Sequence, residues 1–480
     1  MKGIVGVGIT EVDITPLDIE RFEEVLAPDR YEELIDTVVR AIELLDGRTV
    51  WNINSTARGG GVAEMLQSLL AYARGAGVDA RWLVISGNPA FFQVTKRLHN
   101  RLHGAEGDGG PLEDDEHAIY EQALRDDVAD LLNRIGKNDV VIVHDPQPAG
   151  LINHMKDKVA TIVWRCHVGL DMPNDTARQA WNFLIPYVTA ADAYVFSRGA
   201  YAWEGLNREL ITVIPPSIDA FAPKNQPLDD EQIKSILAAT QLISGERSGK
   251  PTFRDWDGTE RRVERTTIFC EGGPPPPADA RFVVQVSRWD RLKDPLGVIK
   301  GFVDHVADRH EDVHLIMAGP AVAAVSDDPE GKEVLEESRV AWTELDQAMQ
   351  SRVHLACLPM EDGEENAAIV NALQRRADVV VQKSLAEGFG LTVSEAMWKA
   401  RPVVASRIGG IQDQIVDGES GLLVKDPHDL KEFGDAVVKL LDDPKAAERM
   451  GKAAQERVRD EFLGARHLIQ YVDLLEKLIT

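Results

Sequence analysis

The sequence predicts an α/β protein built from two doubly wound, Rossmann-like domains that face a central cleft. With 480 residues, the chain exceeds what one ordinary hydrophobic core accommodates, so two domains are expected. Short apolar runs rich in β-branched residues alternate with amphipathic segments, a pattern typical of parallel strands joined by helices. Polar and glycine-rich turns follow these runs, at the strand ends where such sheets bind ligands.

Composition and charge argue against several classes of protein. The hydrophobic content of 44% and the charged content of 28% are typical of soluble globular proteins, and no apolar run is long enough to span a bilayer. A net charge of −26 argues against nucleic-acid binding, which needs clustered Lys and Arg. The three scattered cysteines, Cys166, Cys270 and Cys357, do not suggest a disulfide framework. We therefore expect a protein of the reducing cytoplasm, with no membrane partner.

The first half of the chain begins with two amphipathic helical stretches at residues 19–25 and 31–45. A strand at residues 49–54, a glycine-rich turn and a helix at residues 62–74 then form the first βα unit of a doubly wound sheet. The acidic, glycine-rich segment 104–116 predicts a mobile surface loop. Further strands of this half are predicted at residues 80–85, 139–143, 159–164, 193–196 and 211–214.

The stiff segment 215–219, which contains two prolines, marks the predicted domain boundary. We expect a first domain at residues 1–218, a second at residues 219–463, and an amphipathic helix at residues 464–480 that packs back on the first. No helix or strand period persists across residues 230–278, which we interpret as a long insertion, partly ordered or flexible. The second half has predicted strands at residues 282–286, 313–318, 353–357, 379–382, 402–405 and 422–424.

The turn at residues 387–395 connects a buried strand to a helix and has the composition of a binding loop. Gly388 and Gly390 let the backbone pass close to a ligand. The amides near Leu391 and Thr392 lie at the helix N-terminus, where a phosphate is stabilised.

A glutamate stands at each end of this turn. Because a carboxylate beside a phosphate is unfavourable, Glu387 and Glu395 are expected to bind hydroxyl groups, of a sugar and a ribose respectively. The alternative is a capped loop with solvated glutamates.

A second turn, after the strand at residues 282–286, is cationic. Arg288 offers a forked donor and Lys293 a point charge, and together they can bind a diphosphate and offset charge on a leaving phosphate. The alternative is a surface turn in which these residues pair with Asp290 and Asp294.

The first half contributes polar residues of its own. The triple glycine at residues 59–61 can cradle a phosphate or admit a sugar, although it is neither a dinucleotide fingerprint nor a P-loop. His144, Asp145 and His167 follow neighbouring strands and can bond sugar hydroxyls, or can merely satisfy loop backbones. Metal-ligand spacing is lacking, and the Asp-Trp-Asp triplet at residues 255–257 is attributed to chance.

These residues together resemble the GT-B retaining glycosyltransferases, in their paired-glutamate turn and in their basic pair. Within that class the chain is similar to one family, the trehalose glycosyltransferring synthases, over nearly its whole length. The stretches that carry this likeness are residues 54–56, 59–64, 91–100 (with Phe92, Val94, Thr95 and His99), 144–148, 164–167, 215–219 and 387–398. The region 225–280 departs from the family pattern by being longer.

The resemblance implies transfer of glucose from ADP-glucose or UDP-glucose to free glucose, giving α,α-trehalose with retention and in a reversible reaction. It implies that the diphosphate binds Arg288 and Lys293, the donor glucose Glu387, and the ribose Glu395, while His167 lies near the reacting carbon. The remaining implied donor residues are Gly60, Gly388, Phe389, Gly390, Leu391, Thr392 and Leu358, and the implied acceptor residues are Asp145 and Asn54. A homodimer is expected, with no tightly bound cofactor and with Mg²⁺ acting at most as a stimulant.

Two other functions stay open at this stage. A retaining trehalose phosphorylase would share the fold, the basic pair and the sugar site but use inorganic phosphate. A non-catalytic sugar- or nucleotide-binding protein would keep the pocket without turnover. For the transferase, the lack of an evident nucleophile favours attack on the same face as the leaving phosphate, which accepts the acceptor's proton.

Overall fold

A computed structural model describes residues 8–57, 60–245, 249–271, 273–321 and 329–480. The described chain forms two compact units. Unit 1 takes in the described residues up to Ser217 together with Phe462–Thr480, and unit 2 takes in those of Ile218–Glu461. Both units are α/β, so the prediction of two Rossmann-like domains is confirmed.

Unit 1 contains a mostly parallel sheet with helices on both faces. Its described strands are β1 (Thr10–Val12), β2 (Val50–Asn54), β3 (Ala80–Val84), β4 (Val140–His144), β5 (Thr161–Cys166), β6 (Ala193–Phe196) and β7 (Ile211–Val213). Its described α-helices are α1 (Pro28–Leu44), α2 (Gly61–Gly75), α3 (Pro89–Leu102), α4 (Asp114–Arg134), α5 (Ile152–Met155), α6 (Asp175–Val188) and, from the end of the chain, α16 (Gly464–Ile479).

The described strands of unit 1 lie in the order β1-β3-β2-β4-β5-β6-β7, and only the edge strand β1 is antiparallel to its neighbour. Residues of β2, β4 and β5 are buried throughout, as expected for strands covered on both faces. The chain leaves β2 in one direction for β3 and returns on its other side as β4. The carboxyl ends of β2 and β4 therefore flank the switch point of this sheet.

The two faces of the unit 1 sheet differ in packing. The face covered by α3, α4 and α6 has one large aromatic-rich cluster, which includes Tyr120, Trp164 and Trp181. The opposite face carries two smaller clusters, one around Leu474 and Leu475 of α16 and the other around residues of α2. Helix α16 thus covers part of a sheet formed by residues far earlier in the chain.

Unit 2 repeats this architecture around a second sheet. Its described strands are β8 (Thr252–Arg254), β9 (Glu260–Arg262), β10 (Ile268–Glu271), β11 (Arg281–Val286), β12 (Val313–Pro320), β13 (Val353–Leu358), β14 (Val379–Gln382), β15 (Val403–Ser406) and β16 (Leu422–Val424). Its described α-helices are α7 (Asp230–Ala239), α8 (Pro295–His305), α9 (Pro329–Thr343), α10 (Gln347–Gln350), α11 (Gly363–Arg376), α12 (Leu391–Trp398), α13 (Ile411–Gln414), α14 (Leu430–Asp442) and α15 (Pro444–Glu461).

The main sheet of unit 2 has the described order β10-β13-β12-β11-β14-β15-β16. From β13 to β16 the strands are parallel and follow the dinucleotide-type order 3-2-1-4-5-6, counting β11 as the first. The direction of winding reverses between β11 and β14. Ligands of such sheets bind where the loops after these two strands meet.

The segment 230–278, predicted as an insertion that is partly ordered or flexible, contains regular structure among its described residues. Helix α7 begins at a capping box formed by Asp229 and Gln232, and β8 and β9 form a hairpin. Strand β10 extends the main sheet by pairing antiparallel with β13. Each element is too short to establish a period in the sequence, so pattern alone did not reveal it.

The scattered cysteines did not suggest a disulfide framework, and the structure pairs two of them, Cys270 and Cys357, in a disulfide. The two lie on β10 and β13, which are neighbours in the sheet although they are separated by 87 residues in sequence. The third, Cys166, is buried and free. A separation of this length gives no local signal of pairing, and β10 itself had not been predicted.

The loop predicted at residues 104–116 is confirmed as far as the start of α4. Two arginines of α3, each less than 8% exposed, hold its backbone in place. Arg97 pairs with Asp108 at 2.5 Å, and Arg101 donates to the carbonyl of Gly110 at 2.6 Å. Within the described ranges, every helix is too short or too polar to cross a bilayer.

Candidate functional site

The cationic and acidic turns of unit 2 meet at the switch point of its sheet. A short 3-10 helix, Arg291–Lys293, follows β11, and Glu387 follows β14. The Lys293 Nζ atom lies 2.5 Å from Glu387 Oε2, and the two side chains are 17% and 12% exposed. Two turns separated by 94 residues therefore place a cation and a carboxylate in contact where a ligand is expected.

Buried polar side chains hold the Lys293 turn in place. Gln285, which is fully buried on β11, donates to the Lys293 carbonyl at 2.9 Å and accepts from the Lys383 amide at 3.2 Å. Lys383, 1% exposed, forms an ion pair with Asp294. Asp294 also caps α8 by accepting from the Gly297 amide at 3.1 Å. This network ties β11, β14 and α8 to one another below Lys293.

Arg288 was predicted to bind a diphosphate together with Lys293, but its side chain is much more exposed than that of Lys293. Its side chain is 68% exposed and pairs with Asp290 at 3.1 Å. Asp290 also caps the 3-10 helix through Leu292, whose amide donates to it at 2.8 Å. Arg288 is thus an exposed cation on the turn that carries Lys293.

The glycine turn after Glu387 is held by its neighbours. Gly390 has φ of +82°, a conformation that side chains disfavour, and it forms the N-cap of α12. Gln414, fully buried, donates to the Phe389 carbonyl at 2.5 Å. The Gly410 amide donates to the Gly388 carbonyl at 2.9 Å. The backbone at residues 387–390 is therefore fixed by bonds from outside the turn.

Helix α12 begins directly behind this turn with Leu391 and Thr392. The Thr392 hydroxyl donates to Gln382 Oε1 at 3.1 Å, which ties the first turn of the helix to the end of β14. The amides of this first turn lie at the positive end of the helix dipole, at the same edge of the sheet as Lys293.

Glu395 is buried within α12, with a side chain 5% exposed. Lys224 Nζ lies 3.6 Å from its Oε1 atom, and its Oε2 atom has no hydrogen-bond partner among the described residues. Lys399 is buried beside it and donates to Gln374 at 2.7 Å and to the Glu395 carbonyl at 3.0 Å. Burial holds the pKa of Lys399 well below its usual range. One oxygen of Glu395 is thus buried without a hydrogen-bond partner among the described residues.

Leu358 ends β13 beside this edge of the sheet. Its side chain is 2% exposed, and its carbonyl accepts from the Ala321 amide at 2.8 Å.

In unit 1 the predicted residues gather at the carboxyl ends of β2, β4 and β5. Gly60 is the N-cap of α2 and has φ of +84°, and a Cβ atom there would meet nothing within 4 Å. The constraint at Gly60 is therefore conformational and not steric. Gly59 lies outside the described residues.

Asp145 and His167 are neighbours at these strand ends. Asp145 has φ of +66° and its Oδ1 atom accepts from the His167 amide at 2.7 Å. Burial raises the pKa of Asp145 to about 7, against the opposing effects of that hydrogen bond and of the Arg165 charge. Burial and Arg165 both lower the pKa of His167. The site therefore holds a neutral imidazole beside a carboxyl group that titrates near neutral pH.

A row of polar side chains crosses the sheet next to His167. His144 Nδ1 lies 3.2 Å from His167 Nε2, and His144 Nε2 lies 3.0 Å from Asn52 Oδ1. Burial lowers the pKa of His144 to about 3, so its ring is neutral. The Arg165 Nε atom lies 3.4 Å from His167 Nε2. The contacts of His144 and Arg165 with the Nε2 atom fix the orientation of the His167 ring.

Asn54 uses its side chain within unit 1. Its Oδ1 atom accepts from Trp82 Nε1 at 2.8 Å, and its Nδ2 atom donates to the Thr56 carbonyl at 2.7 Å. Both ends of the amide thus hold the turn that leads towards Gly60.

The described residues contain no group of three or more acidic, histidine or cysteine side chains arranged to hold a metal ion. Asp255 pairs with Arg261 at 2.9 Å, and Asp257 accepts from the Thr259 amide at 2.8 Å. The aspartates of the triplet thus belong to the β8–β9 hairpin.

Several residues of these sites were missed in the sequence. Three of them could have been recognised in the sequence. Gln285 is a polar residue within an apolar strand, and Lys383 directly follows one. Asp294 directly precedes a proline that begins a helix. Arg165 could also have been recognised, as a charge inside the apolar run of β5. Gln414 could not, because it lies in an ordinary polar helix turn.

Known proteins resemble this chain over most of its length. The family described as "Trehalose synthase, N-terminal domain" matches residues 52–203, and the family described as "Glycosyl transferases group 1" matches residues 273–457. The trehalose synthase of Pyrococcus horikoshii is 36% identical over 447 residues, which are 93% of this chain and 94% of that protein. A trehalose phosphorylase of Grifola frondosa is 26% identical over 85% of this chain and 54% of that protein.

Among solved structures, an α,α-trehalose-phosphate synthase (UDP-forming) from Burkholderia xenovorans, in complex with glucose-6-phosphate, has the same fold. Its TM-score is 0.65 at 14% identity, and the match covers 89% of this chain and 100% of the other. At that identity the likeness concerns the fold alone.

Proposed function

This chain belongs to the trehalose synthase family of GT-B glycosyltransferases, and from that premise we propose that it transfers glucose from a nucleoside diphosphate glucose to free glucose, forming α,α-trehalose. The observation that carries the proposal is the contact between Lys293 and Glu387 at the switch point of the unit 2 sheet. A cation for a diphosphate and a carboxylate for a sugar hydroxyl are what a nucleotide-sugar donor needs.

The donor is bound by unit 2 in this proposal. Lys293 and the exposed Arg288 bind the diphosphate, and the amides of Leu391 and Thr392 add the positive end of a helix. Glu387 binds glucose hydroxyls through the turn formed by Gly388, Phe389 and Gly390. The donor is ADP-glucose or UDP-glucose.

The nucleoside binds further along the same sheet edge. The unpartnered Oε2 atom of Glu395 accepts from a ribose hydroxyl, and the base lies beside Leu358. A free phosphate would leave the buried oxygen of Glu395 without a partner, which costs about 1–3 kcal/mol. This supports a nucleotide donor over inorganic phosphate.

Unit 1 supplies the acceptor side. Asp145, whose pKa is about 7, accepts from a glucose hydroxyl, and His167 and Gly60 contribute to sugar binding. Asn54 keeps the turn before Gly60 in place.

The reaction proceeds with retention of configuration. The acceptor hydroxyl attacks from the face that the diphosphate leaves, the bond between the anomeric carbon and the phosphate oxygen breaks, and that oxygen takes the acceptor's proton. Lys293 stabilises the charge that develops on the leaving phosphate. The reaction is reversible, it involves no tightly bound cofactor, Mg²⁺ acts at most as a stimulant, and the protein works as a homodimer.

The test is a panel of donors and acceptors with the purified full-length protein. ADP-glucose and UDP-glucose are each combined with glucose or glucose 6-phosphate, with and without Mg²⁺, and products are separated by chromatography. We expect trehalose from glucose with at least one donor, with an α,α linkage by NMR. Trehalose cleavage by inorganic phosphate in the absence of nucleotide would establish the phosphorylase instead, and no turnover in any arm would indicate a binding protein.

Variants of two lysines separate the site from the general surface. We expect Lys293→Ala to lower kcat by about 10²–10³-fold, because it removes a charge that stabilises the transition state. Lys300→Ala is the matched control, since Lys300 is 65% exposed on α8 and pairs only with Asp304 in the described structure. Unchanged turnover of Lys293→Ala would remove Lys293 from the leaving-group role.

A further inference from the structure

The loop at residues 359–362 leads from β13 to α11 at the ligand-binding edge of the unit 2 sheet. Strand β13 is buried along its whole length and ends at Leu358, beside which the proposed function places the base of the donor. At the other end of the loop, Asp362 caps α11 by accepting from the amides of Glu364 and Glu365 at 3.1 and 3.0 Å. The contacts that hold these two ends therefore determine the shape of the nucleoside end of the site.

One segment of the chain, residues 252–271, contacts both ends of this loop, and we call it the strap. The strap begins with the β8–β9 hairpin, which contacts the first turn of α11 and its cap. Arg261 of the hairpin forms an ion pair with Asp362. The indole nitrogen of Trp256, in the hairpin turn, donates to Glu364 Oε2 at 3.0 Å. The hairpin thus holds the end of the loop where α11 begins.

The part of the strap that follows the hairpin adds a buried anchor on α11. Glu365 Oε1 accepts from the backbone amides of Glu264 and Arg265 at 2.7 and 2.5 Å, and its Oε2 atom forms an ion pair with the Arg265 guanidinium. The Glu365 side chain is 2% exposed, so these hydrogen bonds are shielded from water. Hydrogen bonds to an ionised carboxylate are stronger than bonds between neutral groups. The anchor therefore fixes the backbone of the strap against the first turn of α11.

The strap ends as β10, which holds the other end of the loop through β13. Strand β10 pairs antiparallel with β13, and the disulfide joins Cys270 to Cys357, the residue directly before Leu358. Within the described sheet β10 is an edge strand of four residues, and its first residue, Ile268, is 64% exposed. A strand this short and exposed buries little apolar area, so burial alone holds it weakly. The disulfide is therefore expected to supply much of what keeps β10 on β13.

We propose that the strap positions the nucleoside-binding loop of the donor site, and that the disulfide between Cys270 and Cys357 makes donor binding depend on the redox state of the protein. The inference rests on the proposed function, which places the nucleoside at Leu358. A dithiol reduces the disulfide by thiol–disulfide exchange: the S–S bond breaks, two electrons and two protons pass from the dithiol to the two sulfur atoms, and the dithiol becomes a disulfide. Strand β10 then separates from β13 more readily, and donor binding has to order the loop again. The affinity for the donor falls, while the chemistry at Lys293 and Glu387 is unchanged.

The test compares nucleotide binding by the oxidised and the reduced full-length protein. ADP and UDP are titrated by calorimetry before and after complete reduction with dithiothreitol, and free thiols are counted by alkylation and mass spectrometry after denaturation. Because the chain has three cysteines and two form the disulfide, we expect one thiol before reduction and three after it. For a nucleotide that binds the oxidised protein, reduction should raise the dissociation constant about tenfold, since binding must then order additional side chains.

Variants separate the disulfide from other effects of the reductant. Cys270→Ala leaves Cys357 as it is after reduction, so its nucleotide affinity is expected to equal that of the reduced wild type and not to respond to dithiothreitol. Arg261→Met keeps the disulfide but removes the ion pair with Asp362, and is expected to raise the dissociation constant by about three- to tenfold. The matched control is Arg262→Met, which changes the exposed neighbour of Arg261 on β9 and is expected to leave the affinity unchanged.

Steady-state kinetics distinguish positioning of the donor from general destabilisation. In Arg261→Met the KM for the donor should rise, while kcat and the KM for glucose keep their wild-type values. Because this variant retains the disulfide, it also shows whether affinity lost on reduction comes from the strap or from unfolding of unit 2.

Three results would overturn the inference while leaving the proposed function intact. They are equal nucleotide affinity in the two redox states, wild-type affinity in Arg261→Met, and three alkylated thiols in protein purified without a reductant. If neither ADP nor UDP binds the oxidised protein, the proposed donor is wrong and the inference is wrong with it.

Discussion

Replacing Gly410 by alanine is expected to disturb the turn that carries Glu387 without touching any charged group. Gly410 has an ordinary helical backbone conformation, so an alanine there meets no conformational penalty. Its Cβ atom would, however, lie 2.5 Å from Phe389 Cδ2, 2.7 Å from Phe389 Cα and 3.0 Å from the Gly388 carbonyl oxygen. Phe389 is only 6% exposed, and two hydrogen bonds hold the turn against Gly410 and Gln414.

The size of the effect follows from the backbone contact. To move Phe389 Cα to an ordinary contact distance of 3.4 Å, the turn must shift by about 0.7 Å. Overpacking of this kind costs about 1–3 kcal/mol, which for a unit of this size lowers the melting temperature by about 2–12 °C. A misplacement approaching 1 Å lowers turnover by up to about 10²-fold, so we expect kcat/KM for the donor to fall by about 10–100-fold.

The assay combines thermal melting with steady-state kinetics, and the control is Gly363→Ala. Gly363 begins α11, and a Cβ atom there would meet nothing within 4 Å. This control is expected to keep wild-type kinetics and to melt at the same or a slightly higher temperature, because alanine favours a helix over glycine. Wild-type kcat/KM in Gly410→Ala, together with a lowered melting temperature, would refute the link between the position of this turn and catalysis.

Three further predictions concern buried charges and the disulfide. The variant Asp145→Asn tests the pKa of about 7. Between pH 4 and 7, Asp145 is deprotonated in the unfolded chain but protonated in the folded protein. The free energy of unfolding of the wild type therefore falls as the pH rises, relative to that of the variant. In urea unfolding, the free energy of unfolding of the variant should rise by about 3–4 kcal/mol relative to that of the wild type between pH 4 and pH 8. A difference between the two proteins that does not change with pH would contradict the raised pKa. Asp294→Ala leaves buried Lys383 without its carboxylate and should lower the free energy of unfolding in urea by about 3–5 kcal/mol. The control Asp304→Ala removes an exposed carboxylate and should lower it by under about 1 kcal/mol. Equal losses in the two variants would contradict the importance of burial. Reduction with dithiothreitol opens a loop with a sequence separation of 87 and should destabilise unit 2 by about 4–5 kcal/mol at most, so a melting temperature indifferent to the reductant would contradict a stabilising disulfide.

The sequence was most informative about the buried strands. Runs such as Val379–Gln382 and Ala193–Phe196 are apolar and β-branched or aromatic, and their bounds agree with the prediction, because a strand covered on both faces needs such residues. Strand β10 was missed because Ile268–Glu271 is short, half-exposed and preceded by charged sequence. Its pairing with β13, and with it the disulfide, depends on contacts between distant segments that no local pattern records.

The turns of the candidate site could be predicted from the sequence, but the residues that hold these turns in place could not. The glycines and charges of residues 387–395 stand out in the sequence because binding loops need unusual backbone and exposed polar groups. The bond from Gln414 to the turn, and the burial of Lys383 against Asp294, arise from packing in three dimensions. The polar row of Asn52, His144 and Arg165 could be found only once strand register was known, because its members face the same side of three neighbouring strands.

The composition of unit 1 from two separated stretches has a consequence for how the protein is made. During synthesis, all of Ile218–Glu461 leaves the ribosome before α16 does, so the second unit can complete its own fold while the first still lacks a helix. Until α16 arrives, the sheet of the first unit exposes Arg165 and the apolar side chains around it to water and to chaperones. Translational pausing within the second unit therefore prolongs the interval in which the nascent first unit is open to aggregation and proteolysis.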